Sequence, residues 1–369
     1  MKKSKRAKAR AAAKIKRVPA LSIRNVWKIF GSNLPGFVRK YPTPPSAEAM
    51  MEAGLFPAVR DVSFDIEVGE TFVIMGLSGS GKSTLLRAIC QLAPPTYGSV
   101  AFRGENLVTA SEDRLSELRR HQMGMVFQNY ALLPHKTVLE NVAFPLEIQG
   151  AAQAYTAKRT RELVQLVGLN GKERARPAEL SGGQQQRVGI ARSLAVDPEL
   201  WLLDEPFSAL DPLIRHELQD EVLRLQKLMK KTVVFITHDF DEAIRLANRV
   251  AIMRDGQVMQ IGTPEEIVLN PSNEYVANFT GNVNRGSVIT VRSIMSPLRS
   301  PAAGGPKIPG AMLAARAAGV VLEAGRDGVV VDEANKPIGT VSMTEIIKVL
   351  ASLNGKRPIA KPGIEVGSS

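Results

Sequence analysis

Glu70-Thr-Phe-Val-Ile-Met75 runs without a break into Gly76-Leu-Ser-Gly-Ser-Gly-Lys-Ser83. A short, unbroken apolar run suits a strand buried on both faces, as in a parallel sheet. The glycine-rich stretch satisfies G-x-x-x-x-G-K-[ST] between an expected strand and a helix expected over 83–92, the setting of a phosphate-binding loop. Gly76, Gly79 and Gly81 let backbone amides turn inward around phosphates with no Cβ in the way, and Ser78, Ser80 and Thr84 complete the cradle. Lys82 would neutralise the β and γ oxygens and Ser83 would ligate Mg2+, while the helix N-terminus adds its partial positive charge. Alone, this loop implies a nucleoside triphosphate and no more.

Upstream, a strand is expected at 21–26 and another, with alternating apolar residues, at 62–66. Between them, 31–57 is rich in Pro, Ser and Ala and reads as a loop inserted into an antiparallel start. Downstream, 110–180 is rich in helix formers, and 199–261 returns to strands at 200–203, 232–236 and 249–253 separated by helices. That alternation predicts an α/β fold with a mostly parallel sheet, an antiparallel subdomain and a helical insertion. Composition shifts after Gly281. A loose Pro, Gly and Ala stretch at 298–316 precedes expected strands at 319–322, 328–331 and 338–341 and a helix over 343–353. We read 21–281 as one domain, 285–353 as a small α+β domain, and 354–369 as a flexible end.

The 369 residues allow two or three domains. With 44% hydrophobic and 23% charged residues the composition is that of an ordinary globular chain, and no apolar run approaches the roughly 18 residues a membrane span needs. No apolar segment comes after the basic start, as a secretory signal would require, so a cytoplasmic location is expected. Cys90, the single cysteine, allows no intrachain disulfide and fits an inert core position. The net charge of +12 is concentrated in 1–17, which hold nine Lys or Arg and no acid. Residues 1–20 therefore read as a disordered basic tail, either simply solvated or drawn to anionic partners such as lipid head groups or nucleic acid.

Two further motifs complete the chemistry. Leu200-Trp-Leu-Leu-Asp204-Glu205 is an apolar strand ending in two carboxylates: Asp204 can hold the Mg2+ water shell and Glu205 can accept a proton from an attacking water. Ser181-Gly182-Gly183-Gln184, ahead of a helix expected to about Val196, offers free amides for a second phosphate cradle. One site does not need two cradles, so the loop of one chain is expected to face Ser181–Gln184 of another across a dimer.

Together these motifs resemble the ATP-binding subunit of an ABC transporter, and the resemblance implies that family's P-loop cassette fold over 21–281. Gln128 in Val-Phe-Gln-Asn matches the Q-loop, which reaches Mg2+ and the attacking water. Ser208-Ala-Leu-Asp211 matches the D-loop that crosses the dimer, and His238 in Ile-Thr-His-Asp matches the switch histidine at the γ-phosphate. Phe30 in Lys-Ile-Phe-Gly occupies the place of the aromatic that stacks on adenine, with Trp27 as its competitor. His121, His135 and His216 match no motif.

Finer wording, including Met125-Val-Phe-Gln-Asn-Tyr-Ala-Leu-Leu-Pro-His135 and Phe207-Ser-Ala-Leu-Asp-Pro-Leu-Ile-Arg215, resembles the quaternary amine importers that carry glycine betaine, proline betaine or choline for osmoprotection. That implies ATP and Mg2+, a membrane permease that docks near 129–144, an external solute-binding protein, a second ATPase subunit in a homodimer, and a peripheral place on the cytoplasmic face of the membrane. The segment from Gly328 resembles a single CBS module, equally a dimer-stabilising appendage or a sensor. Two alternatives stay open: an importer of an amino acid, sugar or metal, and a nucleic-acid or ribosome-associated ABC ATPase. The second usually carries two cassettes, zinc-binding cysteine clusters or long coiled-coil arms, none of which this sequence shows.

Overall fold

Alternating buried positions and antiparallel pairing open the chain. The computed structural model describes residues 18–208, 210–281, 283–298 and 304–351; the basic tail at 1–17 and the end at 354–369 lie outside them. The chain divides into two compact units, Met1–Thr263 and Pro264–Ser369.

In the first unit, β1 (Leu21–Phe30) buries Leu21, Ile23, Val26 and Ile29. The segment expected as a loop at 31–57 instead holds two short helices, α1 (Leu34–Lys40) and α2 (Ala47–Glu52). Their apolar residues are too sparse for a periodic signal, yet Phe37 and Met50 join Ile29 and Leu55 in a small separate core, and the Ser46 hydroxyl caps α2 by accepting from the Ala49 amide at 3.2 Å. β2 (Phe56–Ile66) then returns antiparallel to β1.

β3 (Thr71–Met75) is buried at every position and leads through the glycine loop into α3 (Lys82–Ile89). β4 (Tyr97–Phe102) and β5 (Glu105–Asn106) complete an antiparallel sheet of order β2-β1-β4-β5. The region expected to be helical carries α4 (Glu112–His121), α5 (Val138–Ile148) and α6 (Gln153–Leu166), but Met123–Val126 between the first two is strand β6 of the main sheet. After α7 (Gly182–Leu194) come β7 (Leu200–Asp204), α8 (Pro212–Met229), β8 (Thr232–Thr237), α9 (Phe240–Leu246), β9 (Arg249–Arg254) and β10 (Gln257–Gly262). The main sheet has the order β10-β9-β3-β8-β7-β6 and is parallel except for the β10 edge. One apolar core joins both sheets, with Phe64 of β2 stacked on Phe72 of β3 at 4.8 Å between ring centroids.

Register places the site. Met75 pairs with Thr237 and Asp204 with Ile236, so the chain leaves β3, β7 and β8 along one edge of the sheet. In open parallel sheets that carboxyl edge is where ligands bind.

The second unit begins with α10 (Pro264–Leu269) and α11 (Glu274–Phe279), upstream of the line that composition draws at 281. The Glu265 carboxylate accepts from the Thr290 amide at 2.6 Å, tying α10 to the start of the helix at Val291. After α12 (Val291–Ile294) come β11 (Ser296–Pro297), β12 (Lys307–Pro309), α13 (Ala314–Ala324), β13 (Gly328–Val331), β14 (Pro337–Val341) and α14 (Met343–Ala351). The strand expected at 319–322 is a turn of α13. Its valines are β-formers, but the alanines before them carry the helix through, Ala314, Ala317 and Val321 bury one stripe, and Gly325 ends it in the left-handed region. The four strands run β11-β14-β13-β12, with β12 and β13 parallel, over a core that includes Val291, Ile308, Val330, Val341 and Ile346. Among the described residues no helix is long and apolar enough to cross a membrane.

Candidate functional site

The glycine loop is close-fitting on one side and open on the other. Gly81 caps α3 at φ +94°, a region that favours glycine, and a Cβ there would strike the Ala58 carbonyl oxygen; at Gly79, φ +80°, a Cβ would meet nothing within 4 Å. Lys82 is buried and donates to the carbonyls of Gly76 at 2.9 Å and Leu77 at 3.1 Å. Burial pushes its ammonium below the usual lysine range, against the pull of Glu205 and Asp204. Ser80 is buried, and its hydroxyl has no partner. An open cradle, an orphaned buried hydroxyl and a buried cation fit a triphosphate.

Across the loop, the Ser83 hydroxyl donates to Asp204 Oδ1 at 2.8 Å. Burial holds the Asp204 carboxyl above its usual range, opposed by that hydrogen bond and by nearby Arg87. A hydroxyl and a carboxylate oxygen side by side are hard donors suited to Mg2+, which when bound would neutralise charge on the phosphate oxygens.

Glu205 is the hub. It stands just past β7 at φ +42°, costly for a non-glycine residue, with its amide donating to the Ile236 carbonyl at 3.1 Å. Its Oε1 lies 3.7 Å from Lys82 Nζ; its Oε2 accepts from Gln128 Nε2 at 3.4 Å and lies 3.3 Å from His238 Nδ1. Three separated parts of the chain thus converge on one carboxylate of a fourth. The site sets a base beside a buried cation and a cradle, the arrangement that hydrolysis of a phosphoanhydride by water needs.

The other candidate residues lie apart from this cluster in their hydrogen bonding. Ser181 and Gln184 form a capping box on α7: the hydroxyl accepts from the Gln184 amide at 3.3 Å and the Gln184 side chain accepts from the Ser181 amide at 3.0 Å. Gly183 is packed so closely that a Cβ would come 2.5 Å from Ile214 Cγ2, whereas Ser181 stays exposed. Asp211 caps α8, accepting from the Ile214 amide at 3.1 Å. Ser78 is exposed and Thr84 half-buried in the first turn of α3. Between the two aromatics, Trp27 packs against the Ile29 and Met50 core, while Phe30 is 45% exposed and free to meet a base. Cys90 is buried, and burial pushes its thiol up, consistent with an inert core position.

Two residues that carry no motif shape the surroundings. Arg192 donates to the carbonyls of Tyr130 at 2.9 Å and Ala131 at 2.7 Å, holding left-handed backbone just after Gln128. Asn141, fully buried, accepts from the Leu133 amide and donates to the carbonyls of Leu133, Lys136 and Thr137. No local pattern announces either, since their partners come from loops. Beside them lies a cavity of about 400 Å³ whose lining includes Met125, Phe127, Leu133, Phe144, Ile148 and Arg192.

Residues 59–208 match the ABC transporter family. The trimethylamine N-oxide transport system ATP-binding protein TmoW of Pelagibacter ubique is 49% identical over 338 residues, 92% of this chain and 99% of that protein. The glycine betaine/proline betaine transport system ATP-binding protein ProV of Salmonella typhimurium is 44% identical over 338 residues, covering 91% and 84%. Among solved structures, the dimeric post-hydrolysis ATP-binding cassette MJ0796, bound to ADP and Pi, is 33% identical with a TM-score of 0.56 over 66% of this chain and 98% of that one. Likeness at this level along nearly the full length of transport ATP-binding proteins, over a site built for a triphosphate, means that the chain belongs to the ABC transporter family, among its ATP-hydrolysing subunits.

Proposed function

We propose that this chain hydrolyses ATP to drive import of a small solute whose nitrogen bears no hydrogen, a quaternary ammonium compound or trimethylamine N-oxide, through a separate membrane permease. The convergence of Lys82, Gln128 and His238 on Glu205 carries the hydrolytic half of this reading. Glu205 takes the proton of the attacking water; His238 and Gln128 orient that water and the γ-phosphate; Lys82 neutralises the β and γ oxygens. Ser83 and Asp204, with Gln128, would hold Mg2+, which would neutralise charge on the phosphate oxygens, and Phe30 stacks on adenine. Ser181–Gln184 and Asp211 serve the site of a second copy, so that two nucleotides close a homodimer and hydrolysis reopens it. A dimeric cassette bound to ADP and Pi among the similar structures supports the pairing.

The solute class rests on the relatives. One is named for trimethylamine N-oxide and the other for glycine betaine and proline betaine, whose common chemistry is a nitrogen with no N–H left. Choline shares it. The permease docks over the cavity whose lining includes Ala131, Leu133 and Phe144, all within the region expected at 129–144; this would hold the subunit on the cytoplasmic face of the membrane, opposite an external solute-binding protein. The second unit serves as a single CBS-like module, its strand-turn-strand-helix at 328–351 being the feature in its favour.

Reconstitution with its permease and solute-binding protein in liposomes containing ATP tests the reading. ATP-dependent uptake of glycine betaine or trimethylamine N-oxide, with none of sulfate or glycine, is expected; uptake of sulfate alone would overturn the solute class.

A further inference from the structure

Phe30 and Phe56 are cross-strand partners at the open end of the β1–β2 pair, and both rings face solvent, at 45% and 61% exposure. Directly opposed residues of an antiparallel pair project from the same face, so two large apolar residues share an exposed face where a stable fold gains nothing from them. The residue before each is buried: Ile29 at 0% and Leu55 at 3% belong to the core that α1 and α2 close with Phe37 and Met50. With those neighbours anchored inward, alternation turns Phe30 and Phe56 outward. A register irregularity between Lys28 and Ile29 brings the two residues opposite each other, as bulges beside sites often do.

Their location says what the rings are for. Two residues beyond Phe56, the Ala58 carbonyl oxygen lies against Gly81 of the phosphate loop. At the rise of a strand, Phe56 stands about 7 Å from that contact, the scale of the sugar that separates a base from its phosphates. Lys28 Nζ lies over the Phe30 ring at 5.3 Å from its centroid and donates to the Pro94 carbonyl at 2.7 Å, which takes one face of that ring. Phe30 therefore offers a base one face only.

We propose that Phe56 is a second aromatic contact for the adenine base, working with Phe30 as a two-ring platform that the α1–α2 insertion holds in place. This rests on the reading of Gly76–Ser83 as the triphosphate site. The test is titration of the full chain with ATP and, as a probe with no base, inorganic tripolyphosphate, both with Mg2+. Phe56→Ala should weaken ATP about tenfold while leaving tripolyphosphate unchanged, and Phe56→Tyr should stay near wild type. Unchanged ATP affinity in Phe56→Ala, or equal loss for both ligands, would overturn the proposal while the triphosphate site stands. Lys82→Ala separates the two readings: it should weaken both ligands, and if it weakens neither, the triphosphate site itself fails and the platform with it.

Discussion

Lys82 and Glu205 face each other at 3.7 Å, one nearly sealed from water and the other only partly so. A cation this buried meets a ligand's phosphate oxygens with little water between, so removing it costs a ligand more than one exposed contact would. Lys82→Ala should lower ATP affinity by roughly 10- to 100-fold and reduce turnover with it; a titration that finds both unchanged contradicts the phosphate loop. Residues of this kind are legible in sequence because the chemistry fixes their spacing: Gly76 to Ser83 form one continuous turn, and Asp204 and Glu205 are adjacent. The meeting of Gln128 and His238 at one carboxylate oxygen was not legible from spacing, because it depends on how strands β6, β7 and β8 are ordered; it came from family resemblance and acquires its distances only in the fold. Phe30 was preferred to Trp27 on the family resemblance, and the small core that takes in the tryptophan adds a packing reason for that choice.

At the scale of elements, long apolar runs announced themselves and short amphipathic ones did not. β3, β7 and β8 are buried throughout, so their sequences carry no competing signal. The helices α1 and α2 each commit one or two apolar residues to a local core, below what periodicity can detect, and the valines of α13 read as strand until the surrounding alanines are weighed. Loop anchors were invisible for the same reason. Asn141, at the start of α5, satisfies three carbonyls and one amide of the segment before it, and Asn141→Ala would leave buried backbone groups unpaired. A loss of about 2 kcal/mol in stability is expected from urea unfolding. A midpoint equal to wild type would show that this loop is held by something else.

For the whole molecule, the division into two units assigns every nucleotide-site residue to the first. A chain ending at Thr263 should therefore fold and bind ATP with wild-type affinity, as read by calorimetric titration; loss of binding by a folded truncated chain would make the second unit part of the catalytic domain. The central claim is that Glu205 is the base that breaks ATP within a closed pair of cassettes. Glu205→Gln keeps the size and hydrogen-bonding reach of the side chain while removing its ability to take a proton. Size-exclusion chromatography of this variant with ATP and Mg2+, read beside its hydrolysis rate, tests the claim most directly. The account predicts a stable ATP-loaded dimer with hydrolysis reduced at least about 100-fold; monomers only, with hydrolysis at the wild-type rate, would contradict it.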